Sequence, residues 1–272
     1  MILNSRSLMH PIIAITGSSG QVGSKLVEIL RHEGFMVALP KKATLLRDVM
    51  EANPTHIVNC IGAGMDRRKN QTDQEIWSAN FEIPLELLRL ARRLNSKFIN
   101  IGSILEKVET WTSCYIESKR ALTREIAFSK PLHHDAVSIL TPIVFGLGIE
   151  HVLLSDILNA AASKRPITLE SPNAIRDFIH VNDLGGVIVK LLGEHAFPSS
   201  SFEIGSGTGY KLSELCESVL QGLLIQTWES SPRNSRSSEY SIVADVNFST
   251  DELELQIDYD LVTWLKLRIS QL

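Results

Sequence analysis

The feature that most constrains this chain lies near its start. The apolar run Pro11–Thr16 meets Gly17-Ser18-Ser19-Gly20-Gln21-Val22-Gly23, and the glycines give way at once to the apolar-periodic segment Val22–Leu30. A strand, a tight glycine turn and a helix in direct succession make a phosphate cradle. Glycines let the backbone approach a pyrophosphate, and the helix N-terminus offers unpaired N–H groups and the positive end of its dipole. The Gly-x-x-Gly-x-x-Gly spacing differs from the more familiar Gly-x-Gly-x-x-Gly, and a glycine-rich turn can be purely structural. Its placement between strand and helix weighs for a dinucleotide.

From Pro11 to about Ile143, the short apolar runs Phe35–Leu39, His56–Ile61, Lys97–Ile101 and Ala136–Leu140 alternate with helical patterns. Such alternation predicts an α/β fold, a doubly wound parallel sheet covered on both faces, with its strand C-termini facing the ligand. Only Pro40–Thr55 separates the second strand from His56, room for one helix over Thr44–Ala52, so one crossover is shortened. Beyond Gly146 the pattern is less regular. Helices are predicted at Val152–Ser163, Asn182–Leu192 and within Asp260–Ile269, strands at Arg176–Val181 and Phe202–Ile204, and a polar surface loop at Ser230–Ser238. The expected division is a dinucleotide-binding unit over residues 1–146, joined by 176–198, and a smaller α/β lobe from 147–175 and 199–272.

Composition narrows the function classes. A 272-residue chain that is 44% hydrophobic and 21% charged has ample material for a packed core. A formal charge of −4 gives no reason to expect nucleic acid or an anionic membrane as partner. Met1–His10 is too brief and too polar for a signal peptide and no apolar run has the length of a bilayer span, so the expected location is the cytoplasm. Cys60, Cys114 and Cys216 are odd in number and widely spaced, which supports neither a disulfide framework nor a zinc site. His133 and His134 are adjacent and read as a solvated loop; no metal site is expected.

Tyr115 and Lys119 stand four apart in the helical segment Thr112–Phe128, on one face and about one turn apart. A phenol exchanges protons poorly at neutral pH, and a neighbouring ammonium favours the phenolate. A Tyr-x-x-x-Lys pair also arises by chance. Ser103 strengthens the reading because Ile99-Asn100-Ile101-Gly102-Ser103 ends a predicted strand, where a hydroxyl can hold a substrate oxygen, although Gly102-Ser103 can equally be a plain turn. Glu106 reads as a loop carboxylate.

Taken with Ser78-Ala79-Asn80-Phe81, Asn59-Cys60-Ile61-Gly62, Thr141-Pro142-Ile143-Val144-Phe145-Gly146, Arg176-Asp177-Phe178-Ile179-His180-Val181-Asn182-Asp183 and Phe202-Glu203-Ile204-Gly205-Ser206-Gly207, these residues resemble the extended short-chain dehydrogenase/reductase family over nearly the whole chain. The likeness is to its Rossmann-type branch that acts on nucleotide-activated sugars. The resemblance implies that Tyr115 exchanges a proton at the sugar carbonyl or hydroxyl, that Ser103 assists it, and that Lys119 binds ribose and tunes Tyr115. It implies a cofactor site built from Gly17, Ser18, Ser19, Gly20, Gln21, Val22 and Gly23 with Asn59, Cys60, Ile61, Gly62, Thr141, Ile143, Tyr115 and Lys119. Arg176 would meet the sugar-nucleotide pyrophosphate, a role suited to a planar fork of donors. Arg236 stands where a second such arginine is expected, with Arg233 competing for the part. A homodimer packed through Glu75–Leu94 and Thr112–Phe128 is also implied, though burial within one chain explains those apolar positions as well.

Residues beside the triad bear on the reaction. Dehydratases of this kind follow the serine or threonine with an acidic pair, whereas Ser103 is followed by Ile104 and Leu105, which can neither give nor take a proton. After the second strand stands Pro40-Lys41-Lys42 rather than the acidic residue usual for NAD, and Lys41 and Lys42 suit the additional 2′-phosphate of NADPH; NAD stays open, as do solvated lysines. The short length, the missing crossover and the twelve-residue step from Ser103 to Tyr115 resemble the nucleotide-4-keto-deoxysugar reductases, among them the paratose and abequose synthases and dTDP-4-dehydrorhamnose reductase. The expected activity is NADPH-dependent 4-ketoreduction in deoxysugar or surface-polysaccharide biosynthesis. An NAD-dependent epimerase is the alternative enzyme, and a dinucleotide-binding regulator without turnover the alternative of another class.

Overall fold

A computed structural model of the chain describes residues 11–64, 70–110, 112–129, 135–149, 151–197, 199–223, 227–230 and 241–272. The expectations for Met1–His10, for His133 and His134 and for most of Ser230–Ser238 lie outside the described residues. The first half alternates strand and helix: β1 (Ile12–Thr16), α1 (Gln21–His32), β2 (Met36–Ala38), α2 (Leu45–Ala52), β3 (His56–Asn59), α3 (Asp73–Trp77), α4 (Ile83–Leu94), β4 (Lys97–Ser103), α5 (Cys114–Ser129) and β5 (Ala136–Thr141). The second half comprises β6 (Ile143–Phe145), α6 (Val152–Ser163), β7 (Ile167–Leu169), β8 (Ile175–Arg176), β9 (Phe178–His180), α7 (Val181–Gly193), β10 (Ser201–Glu203), β11 (Tyr210–Lys211), α8 (Leu212–Leu220), β12 (Trp228–Ser230), α9 (Asn247–Asp251) and α10 (Leu261–Ile269).

Six strands form one parallel sheet in the order β10-β5-β4-β3-β1-β2. Period-2 alternation sends Ile13, Ile15, Val58, Ile99 and Val137 to a core shared with α1 and α7, while Ala14, Ile57, Phe98 and Ala136 meet α2, α4 and α5. The sheet is therefore a Rossmann-like layer covered on both faces, and its near-continuous apolar strands are what such burial requires. Strand order reverses beside β1, where β2 lies on one side and β3 on the other, so a crevice opens at the strand C-termini. A single helix, α2, carries the chain from β2 to β3. A separate apolar cluster joins α6, α8 and α10 with β7 and the rings of Phe145 and Phe178.

Three expectations are corrected. The strand near Phe202 does not belong to the smaller lobe: β10 pairs with β5 at the sheet edge, and Phe202, Ile204 and Leu253 pack in the main core. The boundary at residue 199 therefore fails, because a short strand carries no sequence signal of the sheet it will join. Arg176–Val181 is not one strand but two, broken at Asp177, with Val181 already in α7. The helix over Glu75–Leu94 starts earlier, at Asp73, and passes from α3 to α4 through a π-helical turn at Ser78–Glu82.

Four buried side chains at matched register tie the central strands together. Thr16 Oγ1 donates to Asn59 Oδ1 at 2.9 Å, Asn59 Nδ2 to Asn100 Oδ1 at 2.9 Å, and Asn100 Nδ2 to Ser138 Oγ at 3.0 Å. Thr123 Oγ1 on α5 lies 2.9 Å from Ser138 Oγ and extends the row. Each pair is also a ladder partner: Thr16 with Asn59, Asn59 with Asn100, Asn100 with Ser138. Asn100→Ala strands an amide on one side and a hydroxyl on the other; unfolding in urea should show a loss of about 2–4 kcal/mol.

At the opposite end of β3, His56 is buried, with Nδ1 2.9 Å from the Thr55 hydroxyl and Nε2 without a partner among the described residues. Burial, helped by Lys97, lowers its pKa from 6.5 to about 4. The unfolded chain therefore binds more protons in that interval, so stability present above pH 6.5 is lost as the pH falls towards 4. The urea midpoint should fall over this range, and His56→Gln should flatten the slope by an amount on the order of 2–3 kcal/mol between its ends.

Candidate functional site

The crevice at the strand C-termini is a cavity of about 590 Å³ running from the glycine turn to the smaller lobe. Its first end is walled by Gly20, Gln21, Val22 and Gly23, with Cys60 and Gly62 opposite. Gly17 takes φ +73°, and a Cβ there would stand 2.7 Å from the Cys60 carbonyl carbon, so the turn and the β3 end close on each other only through glycine. A Cβ on Gly23 would fall 2.3 Å from the Gly17 oxygen, which is why α1 can begin so close beneath the turn. Gly20 is different: an added Cβ meets only the Gly17 oxygen, at 3.2 Å, and its other side is open to the cleft. Backbone N–H groups at the start of α1 thus face a space that any larger residue would fill, and the cradle fits the pyrophosphate of a dinucleotide.

The middle of the cleft carries Ser103, Tyr115, Lys119 and Thr141 on one wall. Strand β4 delivers Ser103 at its last residue, and α5 delivers Tyr115 and Lys119 from its first turns. Lys119 is only 6% exposed, and its Nζ donates to the Ile101 carbonyl at 2.7 Å. Burial lowers its pKa, and Glu106 and Cys60 oppose that shift. Cys60 itself is pushed up to about 12, mainly by burial, and stays a neutral thiol. Ser103 Oγ accepts the Leu105 N–H at 3.3 Å, which leaves the hydroxyl proton for another acceptor. Thr141 Oγ1 donates to the Gly102 carbonyl at 3.0 Å and so braces β4 against β5 beside Ser103.

The far end reaches the smaller lobe. Arg176 lines it, nine-tenths buried, with Nη1 donating to the Ile175 carbonyl at 3.0 Å. His151 stands beside it on the cleft wall with Nδ1 buried and unpartnered among the described residues. Burial and the Arg176 charge lower its pKa to about 4, so the imidazole is neutral. Asp177 organises this end: Oδ1 accepts from Phe178 N and from the Ser206 N and Oγ, and Oδ2 from Gly207 N and Ala244 N. A Cβ on Gly205 would lie 2.4 Å from that carboxylate.

Not every expected residue lines the cleft. Gly17, Ser18 and Ser19 build the turn behind the lining. Asn59 faces away from the ligand space, its amide spent on Thr16, Asn100 and the Ile61 N–H, and Ile61 packs against the α4–α5 core. Lys41 and Lys42 are exposed beyond β2 and are not part of the cavity wall. Arg233 and Arg236 lie outside the described residues. Glu106 is corrected from loop acid to buried group: it is 7% exposed and its Oε1 accepts the Ser103 N–H at 2.8 Å. The Ser103-x-x-Glu106 spacing of a capping box carried that signal in the sequence. Asn80, from the π turn, accepts the Ala63 N–H and donates to the Ala63 carbonyl and Ser118 Oγ, pinning the loop after β3 to α5. No local signal marked His151 or the work done by Asp177. Among the described residues there is no group of three or more metal-binding side chains, and no helix is long and apolar enough to cross a membrane.

Comparison with known proteins agrees with the fold. The family model "NAD dependent epimerase/dehydratase family" matches residues 13–205. Among curated protein sequences none matches the chain significantly. Solved structures with the same fold include UDP-glucose 4-epimerase from Thermotoga maritima, determined with UDP-glucose (16% identity, TM-score 0.80, covering 95% of this chain and 97% of that one). They include RMD from Pseudomonas aeruginosa complexed with NADPH (17% identity, TM-score 0.78, 96% and 98%). L-threonine 3-dehydrogenase from Trypanosoma brucei is similar as well (15% identity, TM-score 0.82, 97% of each chain).

Gly20 gives a direct test of the cradle. Gly20→Val places a branched side chain at the open face of the turn; dinucleotide binding followed by NADPH fluorescence should weaken by about tenfold or more. The thermal midpoint should stay near that of the unaltered protein.

Proposed function

The chain belongs to the NAD-dependent epimerase/dehydratase family, and on that premise we propose that it reduces the 4-keto group of a nucleotide-linked deoxysugar with NADPH. One observation carries the reading: Ser103, Tyr115 and Lys119 share the wall of a cleft whose ends hold the glycine cradle and Arg176. A bound NADPH supplies the hydride. Tyr115 gives its proton to the oxygen of the reduced carbon, Lys119 stabilises the phenolate that remains, and Ser103 donates to the developing oxyanion. Arg176 and the neutral His151 hold the diphosphate end of the substrate. Ile104 and Leu105 both face the cleft, which argues against elimination of water at this site.

Lys41 and Lys42 favour NADPH over NADH by attracting a 2′-phosphate at the end of β2. The epimerase reading stands second, supported by the family and by likeness in fold to a UDP-glucose 4-epimerase. The likeness in fold to a threonine dehydrogenase is why the substrate argument rests on Arg176 and the cleft rather than on the fold. A cytoplasmic homodimer, paired through Glu75–Leu94 and Thr112–Phe128, completes the proposal.

Purified protein should oxidise NADPH when offered a panel of nucleotide 4-keto-6-deoxyhexoses. Interconversion of sugar nucleotides with tightly held NAD and no added reductant would replace this reading by epimerisation, and dinucleotide binding without any turnover by a regulatory role. Tyr115→Phe should lower kcat by about 10²–10⁴ with little change in KM. Replacing Lys41 and Lys42 together with serine should weaken NADPH binding about tenfold and leave NADH binding unchanged.

A further inference from the structure

Ser103 is held in two ways. Its backbone is fixed by the ladder of β4 with Thr141 on β5. Its hydroxyl is fixed by the turn that follows: Leu105 N–H donates to Ser103 Oγ and the Glu106 carboxylate accepts the Ser103 N–H. Ser103 and the 3₁₀ turn Ile104–Lys107 therefore form one capped unit, and a shift of that turn re-aims the hydroxyl without moving the strand. Leu105 and Val108 pack on Ile116 and Tyr115 of α5, but apolar contact has no direction and lets surfaces slide.

Arg120 supplies the direction. It lies four residues beyond Ile116, on the same face of α5, with its side chain 19% exposed and not part of the cavity wall. Nε donates to the Glu106 carbonyl at 2.7 Å and Nη2 to the Val108 carbonyl at 2.9 Å, while Nη1 meets Glu117 Oε1 at 2.6 Å. Glu117 Oε1 also accepts from Thr112 Oγ1, just ahead of Tyr115. Carbonyls at the end of a helical turn find no partner within it, and a cation is favoured there. The planar guanidinium spans two of them at once, which a single ammonium does not. Both ends of the short loop between Ser103 and Tyr115 are thus gathered onto one side chain of α5. Lys107, from the same turn, pairs instead with Glu203 of β10 and ties the turn to the sheet.

We propose that Arg120 is a positioning residue for the reaction: it holds the turn after β4 to α5 and thereby keeps the Ser103 hydroxyl directed at the oxygen that Tyr115 protonates. The inference rests on reading Ser103 and Tyr115 as partners at the reacting oxygen. Ser103 comes from a strand and Tyr115 from a helix, so their spacing is set by whatever joins the two elements. Hydrogen bonds of fixed direction set it more closely than packing does.

The clamp is tested first without substrate. In Arg120→Leu, hydrogen exchange of the Ser103, Leu105 and Val108 amides should quicken by about tenfold or more, while the amides of α1 below the cradle stay as protected as before. The consequence for the reaction is read from a double-mutant cycle with Ser103→Ala, on reduction or epimerisation of a sugar nucleotide alike. Arg120→Leu should lower kcat by about 10–100-fold with the KM for NADPH unchanged, and in the Ser103→Ala background it should cost no more than about twofold further. Arg120→Lys, which keeps the charge beside Glu117 but not the fork, should restore little of the lost kcat. Should Arg120→Leu not fold, Arg120→Lys carries the same measurements. Unchanged protection of the turn, equal losses in both backgrounds, or full activity in Arg120→Lys would overturn the proposal. A turn that loosens as expected in a protein that reduces no 4-keto sugar nucleotide would sink the substrate reading alone, since the cycle then runs on epimerisation.

Discussion

The row of hydrogen bonds from Thr16 through Asn59 and Asn100 to Ser138 fixes where the central strands end relative to one another. A parallel sheet of apolar strands has little in its side chains to forbid sliding by two residues, since such a slip keeps every apolar group on its own face. Polar groups buried at one level forbid it, because a slipped register leaves amides and hydroxyls unsatisfied in the interior. Matching the strand ends in this way puts the glycine turn after β1, the Cys60–Gly62 loop after β3 and Ser103 at the end of β4 along one crevice. Thr123 carries the row onto α5 and so onto the helix that bears Tyr115 and Lys119.

The two ends of the cleft are held by different means. At the cofactor end the fit is one of absent side chains: Gly17 and Gly23 allow backbone to pack on backbone, and Asn80 locks the loop after β3 to Ser118. At the lobe end it is one of a saturated charge. Asp177 takes donors from β9, from the Ser206–Gly207 turn and from Ala244, so the residue next to Arg176 is also the joint between the lobe's strands and the sheet. The C-terminal segment closes the joint: Asp183 accepts the Asp258 and Tyr259 N–H groups, and the Tyr259 ring stacks on His180 at 3.9 Å. The irregular second half of the chain is thus fastened to the regular first half by polar contacts as well as by β10 at the sheet edge and α7 against α1.

Legibility followed the range of the interaction. The cradle, the helix with Tyr115 and Lys119 on one face, and the alternation of strand and helix depend on neighbours within a few residues, and these were readable. Glu106 lay between. Its spacing from Ser103 announced a cap, but its burial beside Arg120 depends on how α5 packs over the turn. His151 and Asp177 carried no local mark at all, since an imidazole beside an arginine and a carboxylate with five donors are made by segments far apart in the chain.

The sequence by itself determined a doubly wound sheet with a dinucleotide cradle, a shortened crossover between β2 and β3, and a phenol and an ammonium one helical turn apart. These follow from periodicity, glycine placement and spacing, which act along the chain. The tertiary structure decided that β10 completes the main sheet, that Asn59 serves the strand register while Cys60 and Gly62 face the ligand, and that Lys41 and Lys42 stand outside the cleft wall. It also decided that Glu106 is buried. Those outcomes turn on which surfaces exclude water from which side chains, and burial is a property of the packed molecule that no short stretch of residues possesses.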